Sequence, residues 1–168
     1  MKYFFLLLAT LIGLILQSTY FEGLKVAGLK PDLVMLIVVF YAVQQGAKKG
    51  AFFGFAAGLL EDVFAAKFLG IHAVIKAVIG FAAGMLEKRV YKENIFAPAF
   101  VSFLATFVQE AGYIIIRQLA GGLTHNSIPF LKSVGILAGF HMLLAIIGYY
   151  FYYFLAEKDV FPRPQRRF

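Results

Sequence analysis

Cysteine is absent from the 168 residues, and charged side chains make up only 15% of them. The first absence excludes disulfides and cysteine catalysis, and leaves the redox compartment open. The second excludes an ordinary soluble domain, in which charged residues are about a quarter of the chain. No connection between apolar runs is long enough to fold alone. The longest, RQLAGGLTHNSIP, has no room for a core, so one domain over residues 1–168 is expected. A Ser-His-Asp set, a Walker glycine loop and a carboxylate dyad are all missing. His72, His125 and His141 fall on different elements without metal-ligand spacing. No catalytic residue, metal or cofactor is expected, and no enzymatic activity.

What the chain has in quantity is apolar surface: 61% hydrophobic residues, 20 Phe and a mean hydropathy of +0.81. A bilayer core of roughly 30 Å asks for runs of about 20 apolar residues in a helix. A membrane β-barrel would instead show alternating segments of about 10 residues, and the runs here are apolar all round. The expected fold is an all-α integral membrane protein, six transmembrane helices in one bundle, over residues 3–21, 31–46, 50–65, 69–86, 95–117 and 130–156. The first run follows only Met1 and Lys2, as a secretory signal would. It is long for one, and QSTYFEG offers no small-x-small cleavage site, so a retained helix is expected. Pro31, Pro98 and Pro129 suit first turns. Tyr149, Tyr150, Tyr152 and Tyr153 crowd the last span where an interfacial aromatic belt would lie.

Orientation follows from the basic residues. With the N-terminus inside, the inner segments hold Lys2, Lys48, Lys49, Lys88, Arg89, Lys92, Lys158, Arg163, Arg166 and Arg167. The outer ones hold Lys25, Lys30, Lys67, Arg117 and Lys132. Both termini are therefore expected in the cytoplasm. The formal charge of +7 is accounted for by this bias, so nucleic acid is not an expected partner.

The third run, GAFFGFAAGLLED, places Gly50, Gly54 and Gly58 four apart, and Gly46 extends the ladder backwards. Residues four apart share a helix face, so the ladder makes a groove. In lipid, small residues let backbones approach. The groove seats either a neighbouring helix of this chain or the helix of a partner. A second copy of the pattern, VIGFAAGMLEKRV beside FFGFAAGLLEDVF, runs through the fourth segment. An inverted repeat would be transporter-like. The match is only a few residues in a Gly/Ala/Phe-rich chain, and the safe inference is that both segments pack tightly.

Ionisable residues inside a span are costly and face the protein interior. His72 and Lys76 share one face of the fourth span, and Gln109 and Glu110 lie in the fifth. These four form a candidate outer polar cluster. Lys76 either snorkels to the interface, pairs with Glu110, or helps line a ligand pocket. Glu61 and Asp62 are expected to end the third span as an outer cap near Lys67.

The stretch from residue 29 to 75 resembles the rod shape-determining protein MreD family. The carried features are Pro31 and Asp32, then Gly46 and Gly50 around a basic turn, Gly54, Gly58, Leu59, Leu60 and Asp62, and finally Leu69, Gly70 and His72. The resemblance implies a non-enzymatic scaffold in the bacterial cytoplasmic (inner) membrane. It implies a partner like MreC, a single-pass protein with a periplasmic domain. Through it come indirect links to MreB filaments, the RodA glycosyltransferase and a class B penicillin-binding protein. Pro31, Asp32, Gly46, Gly50, Gly54, Gly58, Asp62 and Gly70 become candidate partner or helix-packing positions. The family is also remotely similar to the substrate-binding components of energy-coupling-factor vitamin transporters. Those dock through an Ala-x-x-x-Ala face, for which span one offers only Ala9 and Gly13.

Overall fold

Apolar runs of this length fold as helices because every backbone N–H and C=O then bonds within its own segment. The computed structural model describes residues 2–19, 26, 28–65, 70–86, 96–119 and 127–157. Six helices appear in order: α1 Lys2–Thr19, α2 Leu33–Gln45, α3 Ala47–Ala65, α4 Ile71–Met85, α5 Phe96–Leu119 and α6 Ser127–Glu157. Among the described residues there is no strand, only an isolated antiparallel bridge between Val26 and Leu29. Each helix lies within a few residues of the expected run. The segments Phe96–Ile116 and Leu131–Leu155 are long and apolar enough to cross a membrane. The other apolar helices are shorter, and α3 carries Lys48, Lys49, Glu61 and Asp62.

The 13-residue α2 is the axis of the fold. It is apolar on every side, as a helix without a solvent face must be, and eleven of its residues are buried. It touches α1, α3, α4, α5 and α6. Asp32 starts it as the N-cap, its Oδ1 accepting from the Met35 N–H at 2.8 Å. Pro31 therefore precedes the cap and does not occupy the first turn. At the other end Gly46 adopts φ 89°, a left-handed conformation open to glycine at no steric cost. That single residue separates α2 from α3. Gly46 is thus a turn, and the helical ladder begins after it.

Contacts between the two helices run antiparallel. A Cβ on Gly50 would lie 2.6 Å from that of Ala42, the rings of Tyr41 and Phe53 are 4.7 Å apart, and Ala57 packs with Val34 and Val38. The α3 ladder then meets α4. A Cβ on Gly54 would fall on the Lys76 carbonyl, and one on Gly58 on that of His72. A Cβ on Gly50 would lie 2.5 Å from the Gly80 carbonyl oxygen, and one on Gly84 2.5 Å from the Ala47 backbone. Each step of four along α3 is answered by a step of four back along α4. Gly54 and Gly58 of one similar stretch and Gly80 and Gly84 of the other thus lie on the two sides of this one helix pair, at different levels. The groove is filled from within the chain, by α4.

Candidate functional site

The close approach of α3 and α4 puts their polar residues against the start of α2. Lys76 is fully buried in α4, and its Nζ donates to Asp32 Oδ2 at 2.6 Å and to Glu61 Oε2. Asp32 comes from the cap of α2 and Glu61 from the last turns of α3. One ammonium is thus shared by two carboxylates from two helices. This corrects two expectations. Lys76 does not snorkel, and its carboxylate partners are Asp32 and Glu61, not Glu110. Glu61 in turn is no interfacial cap: it is 9% exposed and its Oε1 also accepts from Gln17 Nε2 at 2.9 Å. The Gln17 Oε1 accepts from the Leu33 N–H at 3.2 Å, which ties α1 to the start of α2. Lys67, the basic residue expected beside Glu61, lies outside the described residues.

Asp62 does cap a helix, but the next one. Its Oδ2 accepts from the N–H groups of Gly70 and Ala73 at 2.9 and 3.1 Å, and its Oδ1 from that of His72 at 3.1 Å. The His72 ring adds a contact from Nδ1 to Oδ1 at 2.7 Å. Those N–H groups are the orphan donors of the first turn of α4, where negative charge also complements the helix dipole. Gly70 makes the convergence possible, because its φ of 104° folds the chain back into the carboxylate.

On the other side of Asp32 a second chain of hydrogen bonds runs into α5 and α6. The Asp32 N–H donates to His141 Nε2 at 2.9 Å, so that nitrogen carries no proton. Nδ1 must then be the protonated one, and it donates to Thr106 Oγ1 at 2.8 Å. Thr106 passes its own proton on to the Ser102 carbonyl at 2.9 Å. His141, Thr106 and Ser102 are all fully buried. Asp32 is therefore the node that joins the Lys76 cluster to α5 and α6.

Above this network lies a cavity of about 510 Å³. It opens where α1 ends at Gln17 and Ser18, where α2 begins, and where α4 starts at His72. Asp32 and Glu61 reach it from below, and Gln109, Glu110 and Tyr113 of α5 form one wall. His72 meets Tyr113 edge-on with ring centres 5.3 Å apart. Of the expected cluster of His72, Lys76, Gln109 and Glu110, the structure places His72, Gln109 and Glu110 in the lining of this cavity and Lys76 buried beneath it. Gln17, His141 and Thr106 were missed by sequence reasoning. Their only signal was a polar residue in an apolar run, and Asp32 and His141 stand 109 residues apart.

The glycine positions and Asp62 serve packing and capping inside the chain, so the spacing read from the sequence has a structural cause at each point. The rod shape-determining protein MreD family model matches residues 1–158. Comparison with curated proteins and with solved structures returned no match. A match over nearly the whole chain, together with the all-helical fold of the described residues, shows that this chain belongs to the MreD family of rod shape-determining proteins.

Proposed function

We infer that the protein is a multi-pass scaffold of the cytoplasmic membrane that binds an MreC-like single-pass protein and supports peptidoglycan synthesis during cell elongation. The family match over residues 1–158 carries this reading. All six helices cross the membrane in it, with both termini in the cytoplasm. The shorter α2 is about 20 Å long at 1.5 Å per residue, less than a bilayer core of roughly 30 Å, and the five helices around it shield its ends from lipid. The cavity mouth then faces outward, on the side where an MreC-like partner holds its folded domain. MreB, RodA and a class B penicillin-binding protein are reached through that partner.

Since α4 fills the α3 groove, the partner helix docks on the lipid-facing surface. That surface is rich in large apolar side chains, for example Ile12 on α1, Val78 on α4 and Leu143 on α6, each about half exposed or more. Shape-matched packing is what drives such docking in lipid. Reporter fusions after residue 167 and within 88–92 should report cytoplasm, and fusions at 124–127 the outside. The tagged chain, purified from membranes, should bring down the MreC-like protein. A C-terminus found outside, or a folded chain that never recovers that partner, would overturn the reading.

A second reading, a substrate-binding transport component, draws on one observation, the polar cavity of about 510 Å³. It requires transporter ATPase subunits to co-purify in place of the MreC-like protein.

A further inference from the structure

The cluster beneath the cavity is unbalanced. Asp32 and Glu61 share the single ammonium of Lys76, so the three groups carry one excess negative charge when ionised. Glu110 and Lys30 also line the cavity, each with an interaction of its own, and the excess charge of the Asp32–Glu61–Lys76 cluster stands without them. A surplus carboxylate in a low-dielectric site calls for a proton or a positive guest.

A second observation, independent of charge, points into the same space. Gln109 lines the cavity and is 2% exposed, yet its Oε1 has no hydrogen-bond partner. A buried acceptor without a donor is costly, and nearly all such atoms in folded proteins are satisfied. What is missing here is therefore an N–H or O–H. The walls add the rings of Phe64, His72 and Tyr113 and the side chain of Leu14. Aromatic faces attract cations, and apolar walls suit a hydrocarbon stem. The point between the two carboxylates is already filled by Lys76 Nζ. Among the described residues no group of three or more His, Cys, Asp or Glu is placed to hold a metal ion. A bare cation is thus a poor match, and an organic one a good match. The volume falls within the roughly 300–1,000 Å³ of small-molecule sites.

We propose that this cavity binds an organic cation, an ammonium or guanidinium group on an apolar stem, which meets the surplus carboxylate and donates to Gln109. The group arrives either on a free amine or on a lysine or arginine side chain of a partner segment at the cavity mouth. The inference stands on the cavity alone and does not depend on which protein the scaffold binds.

The test uses the full chain in nanodiscs and isothermal titration with n-butylammonium, N-acetyl-lysine methylamide and N-acetyl-arginine methylamide. Neutral n-pentanol and anionic butyrate are the matched controls. At least one of the three cations should bind saturably, at least tenfold more tightly than pentanol, and butyrate should not bind. Preference for n-butylammonium assigns the group to a free amine; preference for either amino-acid amide assigns it to a partner's side chain. Glu110→Gln and Gln109→Leu should each weaken the cation at least fivefold with the elution volume of the protein unchanged. If either variant fails to fold, the wild-type ranking of cation over neutral and anionic probes decides alone. Equal binding of pentanol, binding of butyrate, or a folded wild-type protein with no saturable cation site would overturn the proposal. Co-purification of the MreC-like partner would be unaffected by that failure, so the two readings fall separately.

Discussion

Replacing Lys76 by methionine is the most informative single perturbation of the core. The side chain is fully buried, and methionine keeps much of its length and volume while removing the charge. Two carboxylates from different helices then face each other without a cation. Breaking a buried pair by removing one partner costs about 3–5 kcal/mol. One of the carboxylates can take up a proton, which places the expected loss toward the lower end, about 3 kcal/mol. Restoring neutrality should recover most of this. Lys76→Met with Asp32→Asn and Glu61→Gln replaces charges by neutral groups of like shape, and such replacements in other proteins are often neutral or stabilising. The measurement is unfolding of the purified protein in detergent, with double-mutant cycles. Lys76 should couple to Asp32 and to Glu61 by about 1–3 kcal/mol each, since contacting residues in one network depart from additivity by this much. Its coupling to Glu110 should be smaller than either. A Lys76–Glu110 coupling larger than the other two, or a Lys76→Met protein as stable as wild type, would refute the reasoning.

Gly135 and Gly139 on α6 have nothing within 4 Å of an added Cβ, so alanine there should be tolerated and should stabilise by up to about 1 kcal/mol through helix propensity. Thermal unfolding reads both. Gly70→Ala forces a side chain into a left-handed conformation at φ 104° and should cost about 1–2 kcal/mol. Asp62→Ala should cost more than that, because it leaves several first-turn N–H groups of α4 without their acceptor. His141→Leu removes the acceptor of the Asp32 N–H and the donor to Thr106. About 1–3 kcal/mol should be lost for each buried group left unpaired, and His141→Asn should recover part of it if its amide reaches the same pair.

The helices could be read from the sequence closely, because an apolar run with a cap or a glycine at its end leaves few alternatives in a membrane. The six runs became six helices whose ends moved by a few residues. What fills the glycine groove could not be read, since a stripe at positions 50, 54 and 58 looks the same whether α4 or a foreign helix occupies it. The polar site is legible in part of its membership and not in its pairing. Helix spacing and depth group His72, Lys76, Gln109 and Glu110, but give no hint of Gln17, Thr106 or His141. None of the three readings open to Lys76 names its true carboxylates, because Asp32 lies 44 residues away, and because a Glu-Asp pair at a helix end reads as an interfacial cap. In the structure the two neighbours diverge, Glu61 turning toward the Lys76 ammonium and Gln17 of α1, and Asp62 toward the first turn of α4.

Whether the ladder is internal and the partner binds elsewhere can be decided with Gly54→Ala and the MreC-like protein in nanodiscs. A Cβ at this position collides with the α4 backbone at Lys76, so the variant should yield less folded protein. The folded fraction should bind the partner with the same Kd as wild type. A variant that folds and inserts at the wild-type level and no longer binds would contradict the internal ladder, and would return the groove to the partner's helix.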